Sequence, residues 1–189
     1  MRAAILATIA LASLPLMGAA PNPRPLALAG QSLSLMGTWV MDSAYEIHAD
    51  GSRTTNYGEH PAGLMMVDRT GRYSIQIFRP DRPKFASGDK TKGEADEYRS
   101  AVLGSSTHFG RVTVDPAKHQ LLFDLETASF PNWEGKRQVR DYTYSGGVLS
   151  YAVPASASGN GTIAYSVWRK VRGTAQLFAA NSRPNSRHS

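Results

Sequence analysis

The side chains of this sequence best suited to chemistry are Gln76, Arg79, His108, Trp133, Gln138, Arg140 and Tyr142. Gln138, Arg140 and Tyr142 are spaced by two, which puts them on one face of an extended strand. Together the set could form a cup with aromatic walls and a few polar groups, the usual composition of a small-molecule pocket. An arginine inside such a cup is costly unless it finds a partner. A ligand carboxylate, phenol or carbonyl would supply one, and Phe130-Pro131-Asn132-Trp133 could fold over the mouth and exclude water. Blander roles fit the same residues: Trp133 as a cap on the core, Arg140 as the ion-pair partner of Glu126 or Asp124.

Other chemistries find less support. The histidines (48, 60, 108, 119, 188) are scattered, and no two have metal-ligand spacing, so no metal site is expected. No cofactor-binding loop is visible, and no cofactor is expected. A Ser–His–acid triad could be assembled around His108 only on paper, since no serine sits in a strand–turn nucleophile motif. Glu94, Asp96 and Glu97 are explained by the positive end of a helix dipole. Arg79, Asp81, Arg82 and Lys84 make a proline-stiffened basic loop, best read as solvated surface.

The elements that must position these residues are mostly strands. Leu35 to Glu46 reads as the first one, with Gly37 easing the entry and Trp39 large enough to plug a barrel end. Asp50-Gly51 is a hairpin signal, with a return strand expected over Ser52 to Tyr57. Short strands follow at Leu64 to Val67 and Arg72 to Phe78. In the second, Tyr73, Ile75 and Ile77 share one face while Ser74 and Gln76 share the other. Pro80 and Pro83 make the next stretch irregular. Gly93 to Leu103 is the helix candidate, ended by Gly104. Strands resume at His108 to Val114, Gln120 to Ala128, Arg137 to Ser145, Val148 to Val153 and Thr162 to Lys170. Ser156 to Gly161 is expected to be a longer loop. Eight to nine strands in sequential hairpins, with one short helix, indicate an all-β, up-and-down barrel. Such a barrel must close first strand on last, bringing Trp39 to Trp168 or Arg169.

At either end the chain changes character. Met1-Arg2 and the apolar run Ala3 to Met17 are too short for a membrane span and match a secretory signal, residues 1–20. Cleavage is expected between 20 and 30, giving an exported (periplasmic or extracellular) protein with a barrel domain over 30–172 and a flexible tail over 173–189. With no cysteine, the barrel depends on its apolar core alone. The formal charge of +6 says little about partners. Four of the 21 basic residues lie outside 30–172, leaving 17 against 15 acidic ones, a difference of +2. That balance argues against nucleic acid, and no stable membrane span is expected after signal removal.

Several segments, taken in order, resemble the bacterial and fungal lipocalin-like domain family over roughly Leu35 to Val171. They are Gly37-Thr38-Trp39, Asp50-Gly51, Tyr57-Gly58 with Pro61 and Gly63, Gly71 with Tyr73-Ser74, and Arg79-Pro80-Asp81-Arg82-Pro83. Phe85-Ala86-Ser87-Gly88, Phe109-Gly110, Val114-Asp115, Phe130 to Gly135, and Gln138 with Arg140 complete the series. The resemblance implies a lipocalin-type barrel, in which an arginine often stacks on a tryptophan placed as Trp39 is. It also marks two departures: Phe123 stands where the family often has a histidine, and His108 where it often has an aromatic. The function expected is an exported carrier of a small amphipathic or hydrophobic molecule. The alternatives are an isomerase- or cyclase-type enzyme on the same fold and a filled barrel serving as an interaction module.

Overall fold

The computed structural model describes residues 33–153 and 162–173. The leader, the loop through 156–161 and nearly all of the tail lie outside the described residues.

The strands are β1 (Gly37–Ile47), β2 (Arg53–Thr54), β3 (Ala62–Val67), β4 (Arg72–Phe78), β5 (Ser105–Asp115), β6 (Gln120–Ala128), β7 (Arg137–Ser145), β8 (Val148–Val153) and β9 (Ile163–Lys170). A single helix, α1 (Ala95–Leu103), separates β4 from β5, and a 3-10 turn at Pro131–Trp133 separates β6 from β7. Every pairing is antiparallel and runs in chain order from β3 to β9. β1 then pairs with both β3 and β9, so the eight long strands close into a barrel. The ninth, β2, is a two-residue return strand against Glu46 and Ile47, shorter than the sequence suggests.

Closure falls where the first-against-last argument puts it: Trp39 lies opposite Lys170, Val40 opposite Arg169, and Met41 opposite Trp168. The cation over the Trp39 ring is Lys170, 5.1 Å from the centroid, not an arginine. Arg169 points outward to Asp42 at 3.1 Å. Outward arginine and over-ring lysine follow from alternation, because neighbouring residues of β9 face opposite sides.

The core sits at the end of the barrel where β1 begins. Trp39, Met65, Leu121, Leu149 and Trp168 are fully buried there. The Trp39 indole N–H donates to the Leu35 carbonyl at 2.8 Å, so the largest plug leaves no orphan donor. Helix α1 buries no residue, and a reciprocal capping box between Glu94 and Glu97 holds its start. Its function is to be sought at the rim, not in the core.

A cavity at the open end of the barrel

Strand β7 inverts the usual alternation. Gln138, Arg140 and Tyr142 are buried while Val139 is 42% exposed. Arg140, at 2% exposure, is among the most deeply buried large side chains of the described chain. Its Nη2 donates to the side-chain oxygen Oε1 of Gln138 at 2.6 Å, and Nε has no hydrogen-bond partner among the described residues. The guanidinium lies over Phe123 (4.3 Å to the centroid) and near Tyr151 (5.2 Å). Aromatic faces favour a cation but do not neutralise it. The expected ion-pair partners are engaged on the outside: Asp124 holds Arg137 and Glu126 holds Arg72, each at 2.6 Å. Arg140 therefore carries a charge with no carboxylate against it.

His108 faces the same interior from β5. Its Nδ1 lies 2.9 Å from the Tyr73 hydroxyl, and its ring meets Trp133 edge-on at 6.0 Å. Burial, with the Arg140 charge adding to it, pushes the imidazole pKa down to about 3, so it is neutral in ordinary buffers. Burial pushes the Tyr73 phenol up, so it keeps its proton. In the tautomer in which the phenol donates to Nδ1, the imidazole carries an Nε2–H, a second donor beside the guanidinium. The two positions that depart from the family pattern prove to be neighbours. The His108 and Phe123 rings are 6.2 Å apart, both packed against Tyr73.

Between these groups and solvent is a cavity of about 440 Å³, within the range that holds one small ligand. Arg140, His108, Tyr151 and Ser166 line its inner part; Ala44, Ile77 and Ala164 give it apolar wall. Tyr45, Tyr57, Val102, Leu103, Phe130 and Trp133 also line it. Val102 and Leu103 belong to α1 and are 65% and 58% exposed, so the helix contributes an apolar lip. The Phe130–Trp133 segment is held against β6 by backbone bonds between Gly135 N–H and the Leu125 carbonyl (2.8 Å) and between Leu125 N–H and the Lys136 carbonyl (3.0 Å).

Of the residues picked from the sequence, His108, Trp133 and Arg140 meet at this cavity, and Gln138 supports Arg140 from beside it. The other three lie elsewhere. Gln76 is on the outer face of β4, because Tyr73, Ile75 and Ile77 take the interior. Arg79 lies beyond the end of β4, bound to Asp81 at 2.9 Å and to Ser100 at 3.2 Å. Tyr142 points inward but below the cavity, its ring 5.7 Å from His119. Sequence reading missed Tyr45, Tyr57, Tyr151 and Ser166. For Tyr151 the signal was available: it alternates with Leu149 on β8, and both are buried. No cluster of metal-binding side chains occurs among the described residues, and no described helix is long and apolar enough to cross a membrane.

A closed eight-strand antiparallel barrel, plugged at one end and open to one ligand-sized cavity at the other, is the architecture of a lipocalin-type protein. Residues 36–171 match the lipocalin-like domain family model, and the chain belongs to that family. A 4'-hydroxy-3'-methoxypropiophenone carrier protein from Aspergillus oryzae is 26% identical over 106 residues, spanning 52% of this chain and 96% of that protein. A lipocalin-like protein of solved structure from Bacteroides uniformis is 15% identical, with 72% of this chain and 98% of that one covered at a TM-score of 0.38.

Proposed function

We propose that this protein is an exported carrier that holds one small, largely apolar molecule in the open end of its barrel. The molecule's hydrogen-bond acceptor is set against Arg140 and His108. The observation that carries this reading is the guanidinium of Arg140, buried at the inner end of an apolar-walled cavity without a carboxylate partner. A buried cation left this way is expensive, and an acceptor on a bound molecule would offset that cost. The fungal relative's name describes a carrier of a phenolic ketone, a molecule with an aromatic body and polar atoms at its ends. The same chemistry would suit this cavity, whose wall is aromatic and whose donors are gathered at one place. Export rests on the leader alone, and N-terminal sequencing of the protein from its own cells should give a start between residues 20 and 30.

The direct test is native mass spectrometry of protein purified from its own cells under mild conditions. One small molecule per chain is expected, and titration with the fungal relative's ketone should quench Trp133 fluorescence. A chain that retains nothing and accepts no such ketone would defeat the reading.

The enzyme reading has one observation on its side, the buried Tyr73–His108 pair. An imidazole with a pKa near 3 is a weak base at neutral pH, which favours it as a hydrogen-bond donor. Conversion of the retained molecule on incubation, followed by mass spectrometry, would reverse that preference.

A further inference from the structure

We infer that the occupant is held as an anion, with its carboxylate, sulfonate or phenolate oxygen paired to Arg140; this rests on the carrier reading and narrows it. The argument begins with an inventory of negative charge. All 15 acidic residues of the chain fall between Asp42 and Asp141, inside the described part, so none is hidden in the leader, the loop or the tail. Asp124 and Glu126 are nearest in sequence to Arg140's strand partner Leu121, and both face outward to other arginines. Among the cavity-lining residues the acidic one is Glu46, near the end of β1 at the mouth, opposite Thr54 and Ala164.

The neutral groups around Arg140 point the same way. Tyr73 from β4 and Tyr151 from β8 are phenols that burial keeps protonated, and His108 from β5 is uncharged. Phe123 from β6 supplies a ring face, Gln138 on β7 supplies a neutral oxygen to one guanidinium nitrogen, and the neutral Tyr151 hydroxyl also bonds the guanidinium. Nε is left over, buried and without a hydrogen-bond partner among the described residues. Burial pulls the Arg140 guanidinium below its ordinary pKa, but arginine titrates so far above neutrality that it keeps its proton in ordinary buffers, and the site does not relieve the charge by titrating. What remains is a fixed positive charge in a cavity that opens to one side. A neutral acceptor would satisfy a hydrogen bond there; an anion would satisfy the bond and the charge together, and charge-assisted bonds are the stronger kind.

Two fluorescent dyes with the same aromatic body separate these cases. Anilinonaphthalene sulfonate carries a permanent anion, and N-phenylnaphthylamine carries no charge. Each should enter the cavity and displace the other. In the Arg140→Met protein, affinity for the sulfonate should fall roughly ten- to a hundredfold, while affinity for the neutral dye changes by less than about twofold. Arg140→Lys, which keeps a positive charge, should recover part of the sulfonate affinity. Equal losses for both dyes, or no loss for either, would overturn the inference and leave a carrier of neutral molecules. Should the methionine variant fail to fold, the unaltered protein still decides: a cavity that admits the neutral dye but excludes the sulfonate is not an anion site. If neither dye enters, the carrier reading falls as well.

Discussion

The two ends of this barrel are built from the same strands and do opposite things with them. Where β1 begins and β9 ends, the interior is filled by Trp39, Trp168, Leu121, Leu149 and Met65; the Trp39 N–H is satisfied by Leu35, while the Trp168 N–H meets no acceptor in hydrogen-bond geometry among the described residues. Where β1 ends and β9 begins, the interior is left open, and the polar groups are only partly satisfied among themselves. Stability is concentrated at the first end and binding capacity at the second. A filled second end would bury more apolar surface and strengthen the fold, but it would leave no room for an occupant.

That contrast breaks first if the plugged end is not the keystone. Trp39→Ala should cost about 3–5 kcal/mol, the range for truncating a large buried aromatic, and many domains have little more than that to lose. Urea denaturation should show the midpoint falling steeply. A loss below about 1 kcal/mol would mean that the plug is dispensable.

Arg140 tests the other end with the opposite sign. Its charge is buried without a carboxylate partner, and replacing buried ionic groups by apolar ones of similar size is often neutral or stabilising by roughly 1–4 kcal/mol. Arg140→Met should therefore unfold at the same urea concentration as the unaltered protein or a higher one. A clear loss of stability would mean that the stacking on Phe123 and the bond to Gln138 repay the burial, and that no ligand is needed to do so.

How much of this contrast was legible beforehand depends on the strand. β4, β6, β7 and β8 begin and end at the residues the turn signals indicate, because Asp-Pro, Gly-Gly and Asp-Arg-Thr-Gly leave few other places to stop. Alternation also gave the two faces of each strand, but not always which one is inward. On β4 an apolar triad settles it, and Gln76 has to be outside. On β7 neither face is plainly apolar. Gln138 and Arg140 go inward because Tyr142 shares their face, at the cost of leaving Val139 in solvent. The lining from β8 and β9, and the lip from α1, depend on barrel curvature, which no local pattern encodes.

A smaller effect comes from pH. His108 titrates near 6.5 when unfolded and near 3 when buried, so between those values the unfolded chain binds the extra proton. Stability contributed by the neutral imidazole is present above pH 6.5 and declines as pH falls, by about 1.4 kcal/mol per unit, or about 2 kcal/mol by pH 5. The carboxylate of Asp124, held low by Arg137, contributes to a different window, because its unfolded value is 3.8. Denaturation at pH 7 and pH 5 should show the loss in the native sequence and a reduced one in His108→Gln. An equal loss in both would assign the acid sensitivity elsewhere.

The smallest effect on stability, and the sharpest probe of the mouth, is Trp133→Ala. Trp133 is only partly buried, and its turn is fastened to β6 through the backbone of Leu125, Gly135 and Lys136, which the substitution leaves in place. Losing its contacts with Phe130 and His108 should therefore cost about 1 kcal/mol or less, well below the figure for Trp39. The consequence for His108 is larger. Its pKa is low chiefly because it is desolvated, and Trp133 is one of the groups that keep water away. Removing the indole should let water reach the imidazole and move its titration upward from near 3 toward 6.5, observable in its NMR shifts. The same opening should speed ligand release, since an anion–arginine pair weakens once water competes for it. If Trp133→Ala instead unfolds as readily as Trp39→Ala, with His108 unmoved, Trp133 is a second plug and the barrel is closed at both ends.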